Sequence, residues 1–300
     1  VNVAAADLNG DGFDELIRVD AGVATLPDGT THALGGVFQL AARGDTDGDG
    51  RDEALIVTGA GRTERTAPLT LWRLQGDEAE QVFRDAGARN QAGTLQVIDG
   101  RIWLARFTDD RTVSAGFVEG GAHQVRASGA LATAQVPIGE DVLVGRVYGD
   151  EPRSDGDLKK VRGDTQTLLP SFRGVRALRA SDLNGDGATD VLVADGWHYA
   201  YGENAVGRVA LLPGPDHDEL RVIAHLPNDY SVRQLLVVDG DVVAVGVREV
   251  HLLRRDDLGW SDHTLAVTNE QGNAVLVRTP AGPAVYVAGD PALLVPLEGG

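Results

Sequence analysis

The chain of 300 residues has no cysteine and no methionine. Without cysteine it can form no disulfide and carry no thiolate chemistry. Without methionine it does not begin at an initiator, so the expectation is a mature or trimmed domain whose leader is gone. Aromatic residues make up only 5% of the chain. No run of about 18 apolar residues occurs, so no membrane span is expected. Lys and Arg total 27 against 45 Asp and Glu, which gives a formal charge of -18. That balance argues against nucleic acid as a partner, because phosphate recognition needs a basic face. There is no Gly-x-Ser-x-Gly, no Walker loop and no His-Glu-x-x-His. The seven His are scattered, and none has metal-ligand spacing to another. No catalytic constellation stands out, no convincing amphipathic helix is visible, and no low-complexity linker divides the chain.

What is abundant is glycine, at 39 residues, together with Val, Leu and Ala in short runs. That composition suits many short strands joined by tight turns. Three stretches share one pattern: Asp7 to Glu15, Asp45 to Glu53 and Asp182 to Asp190. Side-chain oxygens fall at positions 1, 3, 5 and 9 of each. The first stretch supplies Asp7, Asn9, Asp11 and Glu15, and the second Asp45, Asp47, Asp49 and Glu53. The third supplies Asp182, Asn184, Asp186 and Asp190. Glycine stands at positions 4 and 6 of all three, where a tight turn is needed. Alternating oxygens on a turning backbone suit a hard cation that takes six or more oxygens, which is Ca2+. The backbone carbonyls of Phe13, Arg51 and Ala188 at position 7 are further candidate ligands. The competing reading is an Asp/Gly-rich turn without metal, and three copies before apolar strands weigh against it.

These are not EF-hands. An EF-hand loop needs an acid at position 12 and a helix after it. Position 12 here is Arg18, Ile56 or Val193, and strand-like runs follow. At these loops the chain resembles the FG-GAP/VCBS repeat family, whose Asp-x-Asp/Asn-x-Asp-Gly-x-x-Asp loops sit in the blades of integrin-like calcium-binding β-propellers. The resemblance implies an all-β fold, about three bound Ca2+ and a role in adhesion or interaction. The Phe-Gly and Gly-Ala-Pro signatures of the family are absent, so the chain looks closer to the bacterial VCBS-type branch than to an integrin head.

Between the loops, hairpin signals fill the gaps. Asp99-Gly100, Gly139-Glu140, Asp239-Gly240 and Pro280 to Gly282 each separate two apolar runs. First-strand turns thus fall near 7, 45, 99, 139, 182, 239 and 280, at blade-sized intervals. The expectation is a seven-bladed β-propeller in one domain, 1–300, with blades starting near 1, 37, 92, 130, 174, 231 and 272. The seventh repeat is short, so it either borrows a strand or keeps three.

Outside the loops, the richest segment is Asp195 to Glu203, with Trp197, His198, Tyr199 and Tyr201. Together with Arg62, Arg65 and Arg153 on second-to-third-strand loops, it forms a candidate binding face opposite the Ca2+ loops. Aromatic and Arg residues are common interface anchors. The bland alternative is that Trp197 and Tyr199 only cover the end of a blade. The Asp216-His217-Asp218 turn reads as solvated. Function is expected to be that of an exported module binding a protein or glycan, monomeric, in an extracellular, periplasmic or cell-surface setting. A carbohydrate-active lyase or hydrolase on the same scaffold, and a purely structural domain of a larger surface protein, remain alternatives.

Overall fold

The computed structural model describes residues 2–61, 67–86, 91–107, 112–130, 132–147, 156–169, 172–196, 206–227, 232–257, 259–267, 273–288 and 292–297. Among these there are 27 strands and no α-helix. The strands form seven antiparallel sheets, each built from strands consecutive in the chain, and the fold is a seven-bladed β-propeller.

Blade one is β1 (Asn2–Ala6), β2 (Glu15–Asp20), β3 (Val23–Thr25) and β4 (Thr31–Ala33). Blade two is β5 (Val37–Gly44), β6 (Glu53–Gly59), β7 (Leu69–Gln75) and β8 (Glu78–Asp85). Blade three is β9 (Ala92–Ile98), β10 (Arg101–Phe107), β11 (Thr112–Glu119) and β12 (Ala122–Ala130). Blade four is β13 (Ala132–Ile138), β14 (Asp141–Arg146), β15 (Leu158–Arg162) and β16 (Thr165–Leu169). Blade five is β17 (Ala177–Ser181), β18 (Asp190–Asp195), β19 (Gly207–Leu212) and β20 (Arg221–Leu226). Blade six is β21 (Gln234–Val238), β22 (Asp241–Val245), β23 (Glu249–Asp256) and β24 (Gly259–Val267). Blade seven has three described strands, β25 (Ala274–Thr279), β26 (Gly282–Val287) and β27 (Leu293–Pro296).

In blades two, four and five the second strand is covered on both faces, which is why it reads as a near-continuous apolar run. In blade one β2 alternates, with Arg18 and Asp20 exposed. In β6 every residue is buried. Ala54 and Ile56 point into a cluster with Ala4, Ala6, Ile17 and Val19 of blade one. Leu55 and Val57 point the other way, into a cluster with Leu95, Ile102 and Leu104 of blade three. The period of two is still present, but each half of it meets a different blade. Burial of each such Leu or Ile contributes about 1.5–3 kcal/mol.

In blades three and six, which have no acidic loop between their first two strands, an Asp-Gly pair makes that turn. Asp99 (φ 51) and Gly100 (φ 69) are both left-handed, as are Asp239 (φ 49) and Gly240 (φ 85). Two left-handed residues in succession make the turn whose twist matches antiparallel strands.

The chain divides into two compact units, Val1–Ser128 with Gly272–Gly300, and Gly129–Gln271. In the first unit β25 lies beside β1, β1 beside β5, and β5 beside β9. The Asn273 side chain imitates a strand at the first of these junctions. Its Oδ1 accepts from Val3 N at 3.0 Å, and its Nδ2 donates to Val3 O at 2.6 Å. In the second unit β13 lies beside β17 and β17 beside β21. There Leu192 and Ala194 of β18 share a core with Val242, Ala244 and Leu253 of blade six.

Candidate metal centre

The three acidic loops carry one hydrogen-bonding scheme. The position-1 carboxylate accepts the N–H groups of both loop glycines. Asp7 takes Gly10 (2.7 Å) and Gly12 (2.8 Å), and Asp45 takes Gly48 (2.6 Å) and Gly50 (2.9 Å). Asp182 takes Gly185 (2.8 Å) and Gly187 (2.9 Å). These donors, Gly187 first, hold the Asp182 carboxyl below its ordinary range. The position-3 Oδ1 accepts the N–H of position 5, at 2.8 Å in Asn9, 3.1 Å in Asp47 and 2.9 Å in Asn184. The position-5 Oδ1 accepts the N–H of position 7, from Phe13 (2.8 Å), Arg51 (2.8 Å) and Ala188 (2.7 Å). Short polar side chains bonding backbone two residues on are what make such a loop close on itself. The glycines are required by backbone geometry, since Gly48 (φ 82) and Gly50 (φ 87) are both left-handed.

The loops differ in what their remaining oxygens do. In the second loop, ligand oxygens of Asp45, Asp47, Asp49 and Glu53 lie within 4.8 Å of one another. Glu53 is fully buried (0% exposed), and its Oε1 has no hydrogen-bond partner. Its Oε2 accepts from Thr46 N at 2.8 Å and from the Thr46 hydroxyl. Desolvation raises the Glu53 carboxyl, with a smaller push from the Asp47 charge; the Thr46 hydrogen bonds oppose it. Four converging carboxylates with one orphaned, buried oxygen fit a hard cation by the chemistry of the donor set. Among the described residues no other cluster of His, Asp and Glu converges in this way.

In the first loop Asn9 Nδ2 donates to Asp11 Oδ2 (3.1 Å) and to Glu15 Oε1 (2.8 Å). In the third loop Asn184 Nδ2 donates to Asp186 Oδ2 (2.9 Å). The two Asp190 oxygens accept Leu183 N (3.1 Å) and Gly214 N (2.9 Å). The amide at position 3 therefore answers its own loop's acids, a service that Asp47 cannot give in the second.

Several residues around the loops were not evident from the motif. Gln75, at the end of β7, places Nε2 3.2 Å from Asp47 Oδ2 and 3.1 Å from Asp49 Oδ2. Position 8 is Asp14 in the first loop and Asp52 in the second, and both reach Arg278 of β25. Asp14 also takes Arg43 of β5. In the third loop position 8 is Thr189, whose carbonyl accepts from His217 Nε2 at 2.7 Å. The 216–218 turn is thus not simply solvated: His217 is 6% exposed, with a left-handed backbone (φ 58) that turns the ring inward. The only sequence signal for Gln75 is its place just before the Gly76-Asp77 turn; its register with the loop's last acid comes from the pairing of β6 with β7.

Of the candidate binding face, Trp197, His198, Tyr199, Tyr201, Arg62, Arg65 and Arg153 all lie outside the described residues. Their segments link β18 to β19, β6 to β7, and β14 to β15. The near end of the first is anchored. Asp195 accepts Arg173 N at 2.9 Å and Arg208 Nε at 2.7 Å.

The sequence matches no protein-family profile and no curated protein. Solved structures do resemble the chain. One is a functionally unknown protein from Desulfotomaculum acetoxidans DSM 771, at 8% identity and TM-score 0.54, covering 99% of this chain and 95% of that one. Another is Saccharomyces cerevisiae Sqt1, at 12% identity and TM-score 0.54, covering 95% and 81%. A third is an acylaminoacyl peptidase in complex with Z-Gly-Gly-Phe-chloromethyl ketone, at 13% identity and TM-score 0.50. This chain covers 52% of that peptidase and is covered to 97% by it. At such identities the likeness is one of fold.

Proposed function

We propose that this chain is a Ca2+-stabilised propeller of the FG-GAP/VCBS type that works as an exported protein- or glycan-binding module. The observation that carries the reading is the second loop, where four carboxylates converge and Glu53 Oε1 is buried without a partner. Leaving such an atom unpaired costs about 1–3 kcal/mol or more for a charged group, and a bound cation removes that cost. Asp45, Asp47, Asp49 and Glu53 would hold the ion, with the Arg51 carbonyl as a further ligand. The first and third loops share the backbone scheme and are weaker sites, each carrying Asn in place of Asp at position 3.

The ion's role is structural. It neutralises acids at the junction of β5 and β6 and fixes the first strand of the blade against the second. Weak loops of this kind suit the millimolar Ca2+ found outside cells. The binding role is assigned to Trp197, Tyr199 and the arginines at 62, 65 and 153, because aromatic and Arg residues are common interface anchors. A glycan array and a pull-down with Trp197→Ala beside the parent test the binding role. Equal binding by the two would remove the aromatic loop from the reading. No binding by the parent to any glycan or protein would leave only the structural role.

A further inference from the structure

We infer that Gln75 is a fifth side chain of the second loop's cation site, contributed from outside the acidic motif. This rests on the reading of that loop as a Ca2+ site. Strand pairing puts the residue there: Ala54 of β6 pairs with Leu74 of β7, so the next pair outward sets Glu53 against Gln75. The turn that follows, with Gly76 at φ 58, holds Gln75 opposite Glu78 at the end of the β7–β8 ladder.

The oxygens that Gln75 touches are the ones the loop backbone leaves free. Asp47 Oδ1 takes the N–H of Asp49, and Asp49 Oδ1 takes the N–H of Arg51. Gln75 Nε2 meets the other oxygen of each, Oδ2, at 3.2 and 3.1 Å. Those are the atoms a cation would use. The amide nitrogen thus stands in for positive charge between two carboxylates. A half-turn of the terminal amide about its last bond exchanges nitrogen for oxygen, and Oε1 is then a neutral ligand of the kind Ca2+ accepts.

The other loops explain why only this one needs such a residue. Asn9 and Asn184 supply an amide nitrogen to their acids from position 3. The second loop has Asp47 there and takes its amide from β7 instead. In the third loop Val191 pairs with Leu212, so the residue set against Asp190 is Pro213, whose side chain has neither donor nor acceptor.

The test is Tb3+ luminescence and Ca2+ competition on the full chain carrying Asp7→Asn and Asp182→Asn, which leaves the second loop as the acid-rich site. Gln75→Leu and Gln75→Glu are compared in that background, with circular dichroism to show that each is folded. Gln75→Leu should weaken Ca2+ by about tenfold, and its bound Tb3+ should gain about one coordinated water by lifetimes in H2O and D2O. Gln75→Glu should bind more tightly than the background. Ca2+ affinity and hydration unchanged in Gln75→Leu, with Asp45→Asn still abolishing binding, would overturn the role of Gln75 and leave the metal reading standing. No binding by the background protein or by the unsubstituted chain would overturn both.

Discussion

Asp14 and Arg278 are 264 residues apart in the chain and share four hydrogen bonds. Arg278 donates to the Asp14 carboxylate through N (2.6 Å), Nε (3.1 Å) and Nη2 (2.8 Å). Asp14 N donates back to Arg278 O at 2.9 Å. The Asp14 side chain is fully buried (0% exposed), while that of Arg278 is 43% exposed. The pair therefore joins blade seven to blade one, and Asp14 carries the contact on to Arg43 of blade two. Position 8 lies between two candidate ligand positions, so the same turn that would hold a cation also joins blade seven to blade one.

Breaking this contact should be expensive, and asymmetrically so. Asp14→Ala removes the shared carboxylate and leaves Arg43 and Arg278, both partly exposed, with only Asp52 between them. It should cost about 1.5–3 kcal/mol, the range for hydrogen bonds to a charged group. Arg278→Ala leaves Asp14 still paired with Arg43 and should cost less. Urea unfolding of both variants checks the order, and equal effects would mean that Arg43 gives Asp14 no support.

Glycine substitutions should separate strain from collision. At Gly50 (φ +87) an added Cβ meets nothing within 4 Å, so Gly50→Ala pays only for a left-handed backbone, about 1–2 kcal/mol. At Gly116 an added Cβ would lie 2.1 Å from Gln124 O, on the neighbouring strand β12. That backbone atom cannot yield without parting β11 from β12. Gly116→Ala should therefore destabilise more than Gly50→Ala in metal-free buffer, measured by thermal melts. The reverse order would contradict the register of blade three.

His123 gives a pH dependence with a definite sign. Its Nε2 donates to Leu104 O at 2.9 Å, and its Nδ1 accepts from Arg106 Nε at 3.2 Å. Burial, aided by the Arg106 charge, lowers its pKa below the ordinary value of 6.5, against the Leu104 hydrogen bond. The folded state thus prefers neutral imidazole, and the unfolded state binds the proton more readily. The stability this brings is complete above pH ~6.5 and falls as the pH drops towards the lower folded value. His123→Gln, which does not titrate, should flatten the loss of stability between about pH 7.5 and 5.5. An identical slope in parent and variant would show that His123 is protonated without penalty.

Much of this architecture is legible in the sequence, because its signals are local. Asp99-Gly100 and Asp239-Gly240 announce hairpins through their own backbone preference, and the acidic loops announce theirs through side chains bonding two residues on. What is not legible depends on strands distant in the chain. Asp14 and Asp52 look like further acids of an acidic loop until Arg278 arrives beside them. Gln75 looks like an ordinary strand end until β6 sets it against Glu53. His217, flanked by two aspartates, reads as solvated, yet Thr189 O draws its ring inward. The aromatic segment around Trp197 has no local pattern that says which way its rings face.

Metal removal should be visible in stability. At about 100-fold excess over the dissociation constant, one independent site contributes roughly 2.7 kcal/mol. Chelation should then lower the melting temperature by about 5 °C or more. A melt that does not move after confirmed removal of bound metal would take the structural role away from the ion.

Isothermal titration of Ca2+ into the full chain and into Glu53→Gln tests the central claim most directly. Glu53 brings the buried, unpartnered oxygen, and Gln keeps its shape while removing its charge. The parent should show a tightest site that Glu53→Gln loses, with weaker sites remaining and the fold intact by circular dichroism. A parent that takes up no Ca2+, or a Glu53→Gln variant whose tightest site is unchanged, would contradict it.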